Sequence, residues 1–116
     1  MSHAHSDHLG LHDLAFATPA TLKLAEARVG VNETIPLAYD VPFLLDDHTM
    51  LQVTPAGHVA GSAMLQVQRG EQSLLYTGDF KLRASLTVET ARPPHADILL
   101  MESTYCLLYT SPSPRD

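Results

Sequence analysis

The segment Ser2-His3-Ala4-His5-Ser6-Asp7-His8 puts three imidazoles and a carboxylate into seven residues. In an extended segment the side chains of His3 and His5 leave from the same side, while Asp7 and His8 follow without a spacer and must turn elsewhere. That layout suits two adjacent cations. Neutral imidazole nitrogen and carboxylate oxygen are ligands for zinc and similar borderline ions, and a catalytic site draws its ligands from several chain segments while leaving one position open for water. The segment cannot fill two such shells by itself. Unless further ligands arrive from elsewhere, it reads as a solvated histidine-rich tail.

Two later stretches offer them. Ala56-Gly57-His58-Val59-Ala60-Gly61-Ser62 sets one histidine in a turn of small residues between two β-like runs, and Thr77-Gly78-Asp79-Phe80 closes an apolar run with a carboxylate. A lone histidine or aspartate of this kind is more often a hydrogen-bonded loop residue. Three pieces in this order and spacing favour one shared metal site.

The pattern resembles the metallo-β-lactamase superfamily. Its second motif, His-x-His-x-Asp-His, reads here His3-Ala4-His5-Ser6-Asp7-His8; His58 matches the third-motif histidine and Asp79 the fourth-motif aspartate. Met101-Glu102-Ser103-Thr104-Tyr105 resembles the acidic motif that opens the inserted domain of the β-CASP nucleases, the subgroup that cleaves RNA or DNA. The resemblance implies an α/β fold, part of an αββα sandwich with strands missing at both ends. It also implies that His3, His5 and His58 hold one zinc, that Asp7 and His8 hold a second, and that Asp79 bridges the two. Two such ions generate hydroxide near neutral pH and stabilise the attacking and leaving oxygens of a phosphodiester displacement. Asp7 then accepts the proton of the attacking water, and Glu102 orients a proton donor for the leaving group. RNA is the expected partner ahead of DNA. A hydrolase of small esters or thioesters would need the same first three motifs, and Glu102-Ser103-Thr104-Tyr105 argues against it. A non-catalytic scaffold subunit would be expected to lack ligands that are all present in this span.

Length and composition bound the reading. A chain of 116 residues permits at most one small domain. The expectation is a partial metallo-β-lactamase domain over residues 1–105, a fragment inactive by itself, followed by a non-native or disordered Ser/Pro-containing tail over 106–116. No stretch approaches the ~20 apolar residues needed to span a bilayer, so no membrane partner is expected. No basic-then-apolar leader directs export, and a single cysteine, Cys106, fits a reducing, cytoplasmic setting. The formal charge of −6 argues against a nucleic-acid partner on its face. Two divalent ions would reverse that sign locally, where a phosphate would sit.

The elements that must hold these residues follow from periodicity and punctuation. Leu9-Gly10-Leu11-His12-Asp13-Leu14 has helix-like or turn spacing, and His12 is expected behind the ligands or at the surface, with no ligand role of its own. Ala15-Phe16-Ala17 reads as a strand. Thr18 is an N-cap with Pro19 in the first turn, and the helix ends at Gly30 with Leu22, Leu24, Ala25 and Val29 as its apolar stripe. Asp46-Asp47-His48 is an acidic hairpin turn. From Met50 the pattern is a β-meander: Leu51 and Val53, the His58 turn, Met64, Leu65 and Val67, the Arg69-Gly70-Glu71 hairpin, then Leu74-Leu75-Tyr76. Residues 96–101 read as a buried strand that delivers Glu102. Lys81 and Arg83 lie close enough to Asp79 in sequence to meet a phosphate, although solvated loop positions suit them as well.

Overall fold

A computed structural model describes residues 1–5, 8–10, 12–30, 33–84 and 86–103. Asp7, Leu11, Thr104, Tyr105 and the expected tail over 106–116 lie outside the described residues. In chain order the elements are β1 (Leu14–Ala17), α1 (Pro19–Arg28), β2 (Glu33–Pro36), β3 (Phe43–Leu44), β4 (Thr49–Pro55), β5 (Ala63–Arg69), β6 (Gln72–Tyr76) and β7 (Ile98–Leu100). β1 and β2 pair in parallel, with α1 as their crossover. The second sheet has the order β3-β4-β5-β6-β7, antiparallel from β3 to β6 and parallel between β6 and β7. Among the described residues one helix and two sheets, one of them mixed, make an α/β arrangement compatible with part of a larger domain.

Period-two alternation explains how the five-stranded sheet buries both faces. Val53 and Leu65 are cross-strand partners on one face, where Leu37, Val53 and Ala63 form a core with Phe16 and Ile35 of the small sheet packed against it. On the other face Ala56, Met64 and Leu75 are covered by Phe80, Ala91 and Ala96 from the long connection between β6 and β7. The β4–β5–β6 meander and its Arg69-Gly70-Glu71 hairpin therefore stand as expected, as does the β3–β4 hairpin, whose turn is held by the Asp46 carboxylate accepting from His48 N at 2.8 Å.

The helix also starts as expected. Thr18 is its N-cap, its hydroxyl accepting from Thr21 N, and Pro19 follows in the first turn. Its buried face differs from the expected stripe: Thr21, Leu22 and Ala25 are buried, whereas Leu24 and Val29 are exposed. At about 100° per residue Leu24 points away from Leu22, and Val29 falls on the C-cap beyond the last turn. A threonine occupies the inner face because its hydroxyl has a partner there, the Gly61 carbonyl at 3.0 Å. A second correction concerns β7. Ile98, Leu99 and Leu100 are 53%, 56% and 56% exposed, because β7 is the edge of its sheet and among the described residues only β6 pairs with it. The described part of residues 9–14 forms no helix, and Leu14 opens β1.

Tyr39 fastens the β2–β3 connection to the loop that follows β4. Its hydroxyl donates to the Ser62 carbonyl at 2.9 Å. Burial is the main cause that pushes the phenol up to about 12, with the Glu89 carboxylate adding to it and Arg92 opposing. Tyr39→Phe is expected to cost about 1 kcal/mol in urea unfolding at neutral pH, the net value of one hydrogen bond. Because the folded pKa lies above the unfolded one, this stabilisation is full below the ordinary value of 10.0 and fades as pH rises toward about 12. Tyrosine and phenylalanine chains should thus converge in stability at alkaline pH; a gap that stays constant would count against the assignment.

Candidate metal centre

Each imidazole of the cluster is placed by a separate backbone anchor. Ser2 runs beside the start of β5, its carbonyl accepting from Ala63 N at 2.8 Å. The next residue, His3, is fully buried. The Ser2 hydroxyl lies 2.9 Å from His3 Nδ1, which leaves Nε2 directed at the cluster. Arg28 donates from Nη1 to the Ala4 carbonyl at 2.9 Å, so the helix C-terminus holds the chain between His3 and His5. His8 N donates to the His5 carbonyl at 2.9 Å, turning His8 back toward the same place.

His58 arrives on the turn between β4 and β5. The Ser62 hydroxyl accepts from His58 N at 3.1 Å and Val59 N at 3.2 Å, closing the turn on itself. The Gly61 carbonyl accepts from the Thr18 hydroxyl at 2.6 Å, which fixes the turn to the start of α1. Asp79 follows β6, and Lys81 N donates to the Ala56 carbonyl at 2.8 Å, joining the Asp79 loop to the His58 loop.

These anchors gather four imidazoles, three of them around one carboxylate oxygen. The His3 ring centroid lies 4.8 Å from that of His5, 4.3 Å from His8 and 4.9 Å from His58. His58 Nε2 and His5 Nδ1 are 3.1 Å apart. Asp79 Oδ2 is 3.6 Å from His3 Nε2, 3.7 Å from His58 Nε2 and 3.5 Å from His8 Nε2. His3, His5, His58 and Asp79 each offer a ligand atom, all within 4.8 Å of one another. For bonds of ~2.0–2.1 Å, tetrahedral ligand atoms stand ~3.3 Å apart, and the separations of 3.1, 3.6 and 3.7 Å lie near that value, so this group could hold a metal ion.

The donor chemistry fits a cation. Among the described residues His3 Nε2 is buried without a hydrogen-bond partner, a costly arrangement that a bound ion would relieve. Burial is the chief cause that lowers the His3 pKa to about 4; nearby His8 and His58 lower it further, while Asp79 opposes. Burial likewise lowers His58, against the pull of Asp79. Both shifts favour the neutral imidazole, the form that ligates a metal.

Of the residues expected at the site, His3, His5, His8, His58 and Asp79 come together, and Asp7 lies outside the described residues. Glu102 stands behind Asp79, its Oε1 accepting from Phe80 N at 2.9 Å. His12, His48 and His95 are exposed, as expected of residues without a ligand role. Sequence reasoning did not single out Ser2, Ser62, Thr18 or Thr21 as supports of the site. Only the positions of Ser2 next to His3 and of Ser62 at the end of the small-residue turn hinted at them.

No family model matches the chain. It is 39% identical over 109 residues to a probable DNA ligase of Opitutus terrae, covering 90% of this chain and 10% of that protein. It is 36% identical over 91 residues to the transcription termination factor FttA of Methanothermobacter thermautotrophicus, covering 75% of this chain and 14% of the relative. Integrator complex subunit 11 of Danio rerio is 34% identical over 80 residues, 65% of this chain and 13% of the relative. The chain thus spans 10% to 14% of the length of these relatives.

Proposed function

From its membership of the β-CASP group of the metallo-β-lactamase superfamily, shared with FttA and Integrator subunit 11, we propose that this chain is the metal-holding part of a nuclease. The activity belongs to a longer protein that contains it, and the 116 residues alone cleave little or nothing. The observation that carries the reading is the convergence of His3, His8 and His58 on one oxygen of Asp79. In this reading His3, His5 and His58 would hold one zinc, Asp7 and His8 would hold a second, and Asp79 would serve both. The ions supply Lewis acidity and ionise water near neutral pH.

The chain's own residues do the rest. Neutral His3 and His58 keep their lone pairs free for binding, and the rigid strands β4, β5 and β6 hold the loops so that little ordering is needed when the ions bind. Asp7 takes the proton of the attacking water, and Glu102 orients a proton donor for the leaving oxygen. The superfamily's αββα sandwich is the proposed frame, its first helix and sheets being those of residues 14–100.

RNA is the favoured substrate, because two of the relatives are named for transcription termination and the Integrator complex. The likeness to a probable DNA ligase makes DNA the comparison to run beside it. The test has two arms. The 116-residue chain, stripped of metal and titrated with zinc, is expected to bind it; a version extended by flanking sequence from its source is expected to cleave single-stranded RNA faster than DNA. Chelation and Asp79→Asn should each abolish cleavage. Zinc binding combined with hydrolysis of a thioester, and no nucleic-acid cleavage, would replace the nuclease with a small-ester hydrolase.

A further inference from the structure

We propose that Glu102 is a positioning residue for Asp79, its carboxylate tying the end of β7 to the turn that carries this ligand. The inference rests on the reading of Asp79 as a metal ligand. Three hydrogen bonds support it. Thr77 N donates to the Leu100 carbonyl at 3.1 Å, Glu102 N donates to the Thr77 hydroxyl at 3.4 Å, and Phe80 N donates to Glu102 Oε1 at 2.9 Å.

These bonds enclose Asp79 on both sides. The β6–β7 ladder stops at the Tyr76–Leu100 pair, and beyond the Thr77 N bond to Leu100 no strand among the described residues pairs with 78–80. An acceptor oxygen on the Phe80 N–H, delivered by a side chain of glutamate length, supplies the further restraint. Glu102 itself stays outside the group of converging ligand atoms formed by His3, His5, His58 and Asp79. It acts on the metal centre through the backbone next to Asp79, as outer partners of metal ligands commonly do. A consequence is that whatever shifts β7 also shifts Asp79.

Two substitutions separate reach from charge. Glu102→Gln keeps an acceptor oxygen at the same distance without the charge; Glu102→Asp keeps the charge but is one methylene shorter. Zinc affinity of the 116-residue chain by chelator competition, with Phe80 amide exchange followed by NMR, reads both. Glu102→Gln is expected to stay within about threefold of the parent and to retain Phe80 protection. Glu102→Asp is expected to lose about tenfold in affinity, in the range for residues that support a metal ligand, and to exchange Phe80 faster. A shift in the visible absorption of the Co²⁺-loaded Asp variant should report the altered coordination. The reverse order, Asp near the parent and Gln impaired, would assign the effect to charge and overturn the proposal. So would two variants indistinguishable from the parent, and in that case the ligand reading survives. A parent chain that binds no zinc removes the ligand reading and this inference together.

Discussion

Replacing His3 with alanine is expected to weaken zinc binding about 10²–10³-fold. The figure comes from dividing the ~10–16 kcal/mol typical of a four-ligand zinc site among its ligands, which leaves ~2.5–4 kcal/mol for each. His3 is the residue for which this should hold best. Its ring is fully buried, the Ser2 hydroxyl engages Nδ1, and Nε2 has no hydrogen-bond partner among the described residues. In the metal-free chain the same substitution deletes an orphaned polar atom. Its stability cost should therefore fall below the ~2–5 kcal/mol usual for emptying a packed core position. His12→Ala is the control, since His12 is exposed and not among the grouped ligands. Chelator competition and urea unfolding of the metal-free proteins measure the two effects. A His3→Ala chain that binds zinc within threefold of the parent would remove His3 from the ligand set.

Gly57→Ala is expected to destabilise the chain by roughly 2–6 kcal/mol, from ~1–3 kcal/mol each for a left-handed backbone and for overpacking. Gly57 has φ +76°, and a Cβ there would sit 2.3 Å from the Lys81 carbonyl oxygen and 3.2 Å from Ala91. The obstacle is backbone, which cannot rotate away as a side chain would. Relief requires separating the His58 turn from the loop after Asp79, where Lys81 N bonds the Ala56 carbonyl. Zinc affinity should fall with stability, because the two loops carry ligands. Gly70→Ala isolates the conformational part: φ is +60° and nothing among the described residues lies within 4 Å, so only about 1–2 kcal/mol is expected. Denaturant unfolding of both variants decides; equal costs would mean that the close approach at Gly57 carries no energy.

Much of the frame was legible because it is written in local rules. The Thr18-Pro19 helix start, the acidic turn at 46–48 and the β4–β5–β6 meander each depend on residues a few positions apart. The helix face and β7 were misread for one shared reason. Burial depends on what a face meets: Thr21 turns inward because the Gly61 carbonyl is there, and Leu99 stays exposed because β7 ends its sheet. The site divides along the same line. Residue type and spacing alone marked His3, His5, His8, His58 and Asp79, since few side chains bind a borderline cation and the matching motifs are short. That three of these histidines close on a single oxygen of Asp79, that burial holds His3 neutral, and that Glu102 acts on the Phe80 amide are products of tertiary structure. Distances and desolvation arise only when segments fifty residues apart are folded against one another, and a one-dimensional pattern carries neither.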